Sequence, residues 1–179
     1  MSFGRFTSQL LRSLPAQAFS VSLAGMALWA SCPSPVVAAG APLEAVVTQV
    51  VRRVDWQRAL TTRWQPAGLD LVLLTGDSLR TGQDAKAELL YGDGSVTRVG
   101  ALTRLTIAGD QKRELRLEAG RIWLQIRKSG AGMRIVWPGA VATVTGTELV
   151  VEFDPTRRAT EVTVFEGAVD VAGDVGQLV

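Results

Sequence analysis

The stretch Ala87-Glu88-Leu89-Leu90-Tyr91-Gly92-Asp93-Gly94-Ser95-Val96-Thr97-Arg98-Val99 decides the fold. Its two flanks suit strands and Gly92-Asp93-Gly94 between them is a turn signal, so the segment reads as a hairpin. Working outward, apolar residues recur with period 2: Leu105 with Ile107, Leu115 with Leu117, then Ile122, Leu124 and Ile126, with polar residues mostly in between. Each run can bury one face of a strand. Further strands are predicted over residues 133–136, 149–153, 161–165 and 168–171, and Gly120, Gly130, Gly132 and Gly139 punctuate the segments. Between residues 70 and 171 no window keeps helical spacing for three turns. The expectation is an all-β domain of about ten short antiparallel strands, a roll, solenoid or sandwich, among which spacing alone does not choose.

Before the hairpin, Leu43, Val46, Val47, Val50 and Val54 keep helical spacing. Valine is stiff and favours strands, however, and Pro42 suits an edge, so residues 43–54 are expected to form a strand. Trp56, Trp64 and Pro66 mark a turn-rich connection into residues 69–74.

The 179 residues, 47% hydrophobic and 20% charged, suit one globular domain with an N-terminal extension. Histidine is absent and cysteine occurs once, which excludes Ser/His and Cys/His catalysis, His-ligated zinc and an internal disulfide. Arg5 and Arg12 are the only charged residues before Glu44; 19 basic residues less these two leave 17, equal to the 17 acidic ones. The formal charge of +2 therefore belongs to the first segment, and a nucleic-acid partner is not expected.

Residues 1–39 have the parts of a secretory signal peptide: Arg5 and Arg12 in a polar start, then an apolar run over residues 16–30. Val37 and Ala39 are small residues at the minus-three and minus-one positions, which places cleavage after Ala39 and the mature domain at residues 40–179. The apolar run stops at Ser31, short of the roughly 20 residues a spanning helix needs, so no transmembrane segment is expected in the mature chain. Cys32 permits a second reading, a lipoprotein signal. Leu28 lies four residues before it instead of three, so the expected fate of Cys32 is removal with the leader.

Four segments in order resemble the FecR family of periplasmic domains: Gly76-Asp77-Ser78-Leu79-Arg80-Thr81-Gly82; Ala87-Glu88-Leu89 running into Asp93-Gly94-Ser95; Gly146-Thr147-Glu148-Leu149; and Val164-Phe165-Glu166-Gly167-Ala168-Val169. Together they cover residues 46–172. Family members commonly carry an aromatic and a small polar residue before Asp-Gly-Ser, where this chain has Tyr91-Gly92, and Thr-Pro where it has Trp137-Pro138. Gly76, Gly82, Gly94, Gly146 and Gly167 stand where a strand ends and the chain reverses, and Asp77 and Asp93 are expected to bond backbone amides there. In the signalling branch of the family, a cytoplasmic helical segment holds a sigma factor and a further domain meets a transporter. About 15 residues precede the apolar run here and the chain ends at Val179, so the resemblance implies a free-standing exported FecR domain.

Charge divides unevenly. Residues 104–134 hold 8 basic and 3 acidic residues, and residues 148–174 hold 2 basic and 7 acidic. If Ile122, Leu124 and Ile126 face the core, Arg121, Trp123, Gln125 and Arg127 share the other face; by the same rule Arg116 and Arg134 point outward. Arg116, Arg121, Trp123, Arg127 and Arg134 are thus the candidate binding stripe, suited to an acidic protein face, an anionic envelope polymer or the acidic region of another copy. Trp56, Trp64 and Trp137 read as core or core-covering residues. Asp70, Asp77, Asp84, Glu88 and Asp93 fall mostly in turns or on outer positions, which is poor material for a two-carboxylate cleft, and no calcium-loop run exists. The expected role is a non-enzymatic regulatory or scaffolding module of the cell envelope, with no cofactor or metal. The alternatives are a structural protein that self-associates through its charged halves or an open strand edge, and, third, a carboxylate-dependent hydrolase.

Overall fold

A computed structural model describes residues 45–109, 113–128 and 132–173. The expected leader, its cleavage point and Cys32 lie outside the described residues. The described residues all belong to one compact unit. No helix among the described residues is long and apolar enough to cross a membrane.

The described residues form strands β1 (Ala45–Val51), β2 (Val54–Gln57), β3 (Trp64–Pro66), β4 (Val72–Leu73), β5 (Ser78–Thr81), β6 (Lys86–Tyr91), β7 (Val96–Val99), β8 (Arg104–Ala108), β9 (Glu114–Gln125), β10 (Met133–Trp137), β11 (Ala140–Val144), β12 (Glu148–Asp154), β13 (Ala159–Glu166) and β14 (Val169–Gly173). The first half of β9 pairs with β8 and β10, and its second half pairs with β7 and β12. Two wings therefore meet on one strand. The first runs β4-β1-β6-β7-β9-β12-β13 and the second β3-β2-β5-β8-β9-β10-β11-β14. Inward side chains from both, such as Leu89, Ile122 and Val151 from the first and Leu79, Leu117 and Ile135 from the second, belong to one buried apolar cluster.

The join works through a change of phase. Odd residues Leu115 and Leu117 are buried before it and even residues Ile122 and Leu124 after it. Opposite β8 the register steps from Leu105↔Leu117 to Arg104↔Ala119, so β9 carries one extra residue; a bulge of this kind reverses which side chains face the core. Gly120 follows at φ 88°. A Cβ there would lie 2.4 Å from Thr103 Oγ1 and 2.5 Å from Thr103 Cα, so both the backbone conformation and the space demand glycine. Thr103 fastens the corner, its hydroxyl accepting from the Arg121 amide at 3.0 Å and donating to the Ala101 carbonyl at 3.1 Å. Thr81 backs it, accepting from the Thr103 amide at 2.9 Å and donating to the Gly100 carbonyl at 2.6 Å.

The all-β expectation holds, and so does the central hairpin, β6 to β7, closed by Gly94 N–H to the Tyr91 carbonyl at 2.8 Å. Fourteen strands replace about ten. Two of the additional ones, β2 and β3, occupy the segment expected to be a turn-rich connection, pairing Gln57 with Trp64. β11 went unforeseen because Ala140 and Ala142 give a weak apolar signal. The runs on either side of Gly120 are one twelve-residue strand. One pair, β9 with β10, is parallel, because the chain after β9 returns to lie beside the start of β9. Of the five motif glycines, Gly76, Gly94, Gly146 and Gly167 have positive φ and Gly82 does not.

Gly120→Ala is expected to lower unfolding stability by at least about 2 kcal/mol, since left-handed strain of roughly 1–2 kcal/mol adds to displacement of the Thr103 backbone. Gly92→Ala, with no atom within 4 Å of the new Cβ, is expected to stay within about 0.5 kcal/mol of the parent. Urea denaturation of the two variants checks the contrast.

Candidate functional site

On the outer face of the first wing, the ladder brings Glu88, Arg98 and Trp123 side by side. Arg98 Nε donates to Glu88 at 2.8 Å and its guanidinium lies 4.4 Å from the Trp123 ring centroid. The Arg98 hydrogen bond holds the Glu88 carboxyl below the usual carboxylate range, against the opposing effect of burial. Trp123 Nε1 donates to Glu148 at 3.2 Å, and on the next rung Arg121 faces Glu152 at 3.2 Å. Three carboxylates thus meet two guanidiniums, with the indole half-buried beneath one of them.

Arg127 is attached to the end of the central hairpin, its amide donating to Ser95 Oγ at 3.1 Å and its Nε to the Gly94 carbonyl at 3.4 Å. That turn is organised by Asp93. The carboxylate accepts from the Ser95 amide and hydroxyl, both at 2.9 Å, and from both terminal nitrogens of Arg113. Burial pushes the Asp93 carboxyl up, but the Arg113 hydrogen bonds, with those from Ser95, outweigh it and hold the group well below the usual range. Beneath Arg113 lies the ring of Tyr91, 5.1 Å from the guanidinium. Burial pushes the Tyr91 hydroxyl from 10.0 up to about 12. Asp77, the other motif carboxylate, is fully buried and accepts from the Ala59 and Leu74 amides at 2.8 and 3.0 Å and from Arg58 at 2.9 Å. Both aspartates therefore bind backbone amides, as expected.

The outer face of the second wing has a different balance. Asp55, Arg80 and Arg104 lie in register across β2, β5 and β8. Asp55 accepts two bonds from Arg80, at 3.1 and 2.9 Å, and one from Arg53 at 3.3 Å. Trp64 on β3 carries the Arg80 guanidinium 4.3 Å from its centroid, with that of Arg104 at 5.7 Å. Farther along, Arg116 and Arg134 share Glu114 at 3.6 and 3.4 Å, and Arg104 is 4.0 Å from Glu118. The guanidiniums of Arg53, Arg80, Arg104, Arg116 and Arg134 face the carboxylates of Asp55, Glu114, Glu118 and, on β14 in register with Arg134 across Thr143, Asp170, a surplus of one.

The anticipated stripe is thus divided. Arg121, Trp123 and Arg127 go with the first wing and Arg116 and Arg134 with the second, because the bulge before Gly120 sends the two halves of β9 into different sheets. Sequence reasoning missed Trp64, Arg80 and Arg104 as members of the same basic face. No alternation frames Trp64, since β3 has three residues, and only the register of β2, β5 and β8 brings the arginines beside it. Of the other tryptophans, Trp137 is buried in the core and Trp56 packs at its margin under Arg58.

A family model described as FecR protein matches residues 77–170, just over half of the chain. No curated protein and no solved structure matches it.

The Asp93 and Tyr91 shifts act on stability at opposite ends of the pH range. A depressed carboxylate contributes fully above the ordinary carboxylate range and less as pH falls through it, whereas the raised Tyr91 contributes fully below pH 10.0 and less as pH climbs toward 12. In urea unfolding across pH, Asp93→Asn is expected to cost about 1–3 kcal/mol at neutral pH and to flatten the acid limb, and Tyr91→Phe to flatten the alkaline one.

Proposed function

The chain belongs to the FecR family, a regulatory family of the cell envelope, and from that premise we propose that it is an exported, non-enzymatic binding module. Its leader would deliver it beyond the cytosol, and its work would be done by the outer face of the second wing. The observation that carries the reading is the row of guanidinium groups on β5, β8, β9 and β10, joined by Arg53 just before β2, with Trp64 held beneath two of them. An array of this kind suits an extended anionic surface, either an acidic protein face or an anionic envelope polymer. The first wing supports this role less, because in its ladder Glu88, Glu148 and Glu152 outnumber Arg98 and Arg121.

Retention of the full chain on immobilised polyglutamate and on an anionic polysaccharide, eluted with salt, tests the assignment. Arg104→Gln combined with Arg116→Gln is expected to lower the eluting salt concentration on at least one matrix while leaving the melting temperature nearly unchanged; that pair leaves Arg134 on Glu114. Arg121→Gln combined with Arg127→Gln is expected to change elution little. Equal losses from both pairs, or no retention of the parent, would overturn the proposal.

A further inference from the structure

The first wing ends in β13, whose only ladder partner among the described residues is β12. Thr160, Val162 and Val164 stand opposite the buried Phe153, Val151 and Leu149, so they are on the core side of the sheet. Yet Val164 is 42% exposed and Phe165, at the strand's bulge, is 61% exposed. β13 contains no proline, lysine or arginine, the residues that usually blunt a free edge. At the other end of the same wing β4 covers only Ala45 and Val46 of β1, and backbone bonds between Val47 and the segment at Asp70 and Leu71 end the pairing. Residues 48–51 of β1 then have no strand beyond them among the described residues, and Val51 is 38% exposed.

We infer that these two edges are made for each other, so that β13 of one copy receives β1 of a second and the first wing continues from molecule to molecule. Direction supports this occupant. From β1 through β6, β7, β9 and β12 to β13 every neighbouring pair is antiparallel, so a copy set down by translation presents its β1 antiparallel to β13 and repeats the pattern. Side-chain phase agrees. Val50 packs against the core and Val162 lies on the core side, and placing them opposite each other puts Val51 across from Glu161 on the outer face. Charge agrees too. Glu161 and Glu166 are the only charged residues of β13, while Arg52 directly follows β1. Their present ion pairs, Glu166 with Lys128 at 3.7 Å and Arg52 with Asp84 at 3.5 Å, are exposed and easily exchanged. Two copies meeting through β13 alone would bring only carboxylates together. The contact is head to tail, joining unlike surfaces, and therefore propagates.

Sedimentation of the full chain at low and high salt tests the inference. The parent is expected to grow beyond a dimer with concentration, and less so at high salt. Val51→Glu, which blocks the β1 edge, and Val164→Lys, which blocks the β13 edge, should each sediment as monomers with the parent's circular dichroism. Mixed in equal amounts they should form dimers that grow no further, since one supplies an intact β13 and the other an intact β1. The milder variants Arg52→Glu and Glu161→Arg should each weaken association by about tenfold and recover it when mixed. Arg104→Gln with Arg116→Gln should leave association unchanged, which separates this contact from the proposed basic face. A parent that stays monomeric at every concentration, self-association retained by Val51→Glu, or a mixture that stays monomeric would overturn the inference.

Discussion

Thr103 passes so close beneath Gly120 that a methyl group at position 120 would overlap its backbone. That closeness lets β9 change sheets without leaving polar groups stranded. The extra residue in β9 reverses the inward phase and the left-handed glycine turns the strand, while the Thr103 and Thr81 hydroxyls bond the amides and carbonyls that the distorted ladder gives up. A strand break at the same place would expose those groups or bury them unpaired, at about 1–3 kcal/mol for each buried one. The shared core depends on this corner, because Leu115 and Leu117 reach it from one sheet and Ile122 and Leu124 from the other along a single continuous strand.

The two outer faces then acquire different characters from similar materials. On the first wing, Arg98 and Arg121 stand among Glu88, Glu148 and Glu152, and the indole of Trp123 is committed to Arg98 and Glu148. Exposed pairs of this kind each contribute little stability, about 0–1 kcal/mol, but they leave scant net field for a distant partner. On the second wing Glu114 serves two arginines and Asp55 another two. Each of these carboxylates is shared between two guanidiniums, where on the first wing each arginine has a carboxylate of its own.

Much of the fold was legible because burial on a sheet writes itself into the chain with period 2. The hairpin around Asp93, the strands over residues 133–136, 149–153 and 161–165, and the amide-binding roles of Asp77 and Asp93 all follow from local pattern and turn chemistry. The phase change between Leu117 and Ile122 was visible as well, but alone it fits two strands parted at Gly120 equally well as one bulged strand. The short β2, β3 and β4 carry too few residues to display a period. Half of the candidate face was legible too: Arg116 and Arg134 point outward by alternation, whereas Trp64, Arg80 and Arg104 meet only when β3, β2, β5 and β8 pair.

By itself the sequence determined the all-β class, the inward and outward parity within each run, the main turns and the membership of the FecR family, because these depend on neighbours a few residues apart and on motif order. The tertiary structure alone decided which outward residues share a face, which carboxylates neutralise which arginines, and which strand edges remain uncovered. Those outcomes depend on pairing between segments distant along the chain, and one extra residue before Gly120 is enough to send Arg116 and Arg121 to different sheets.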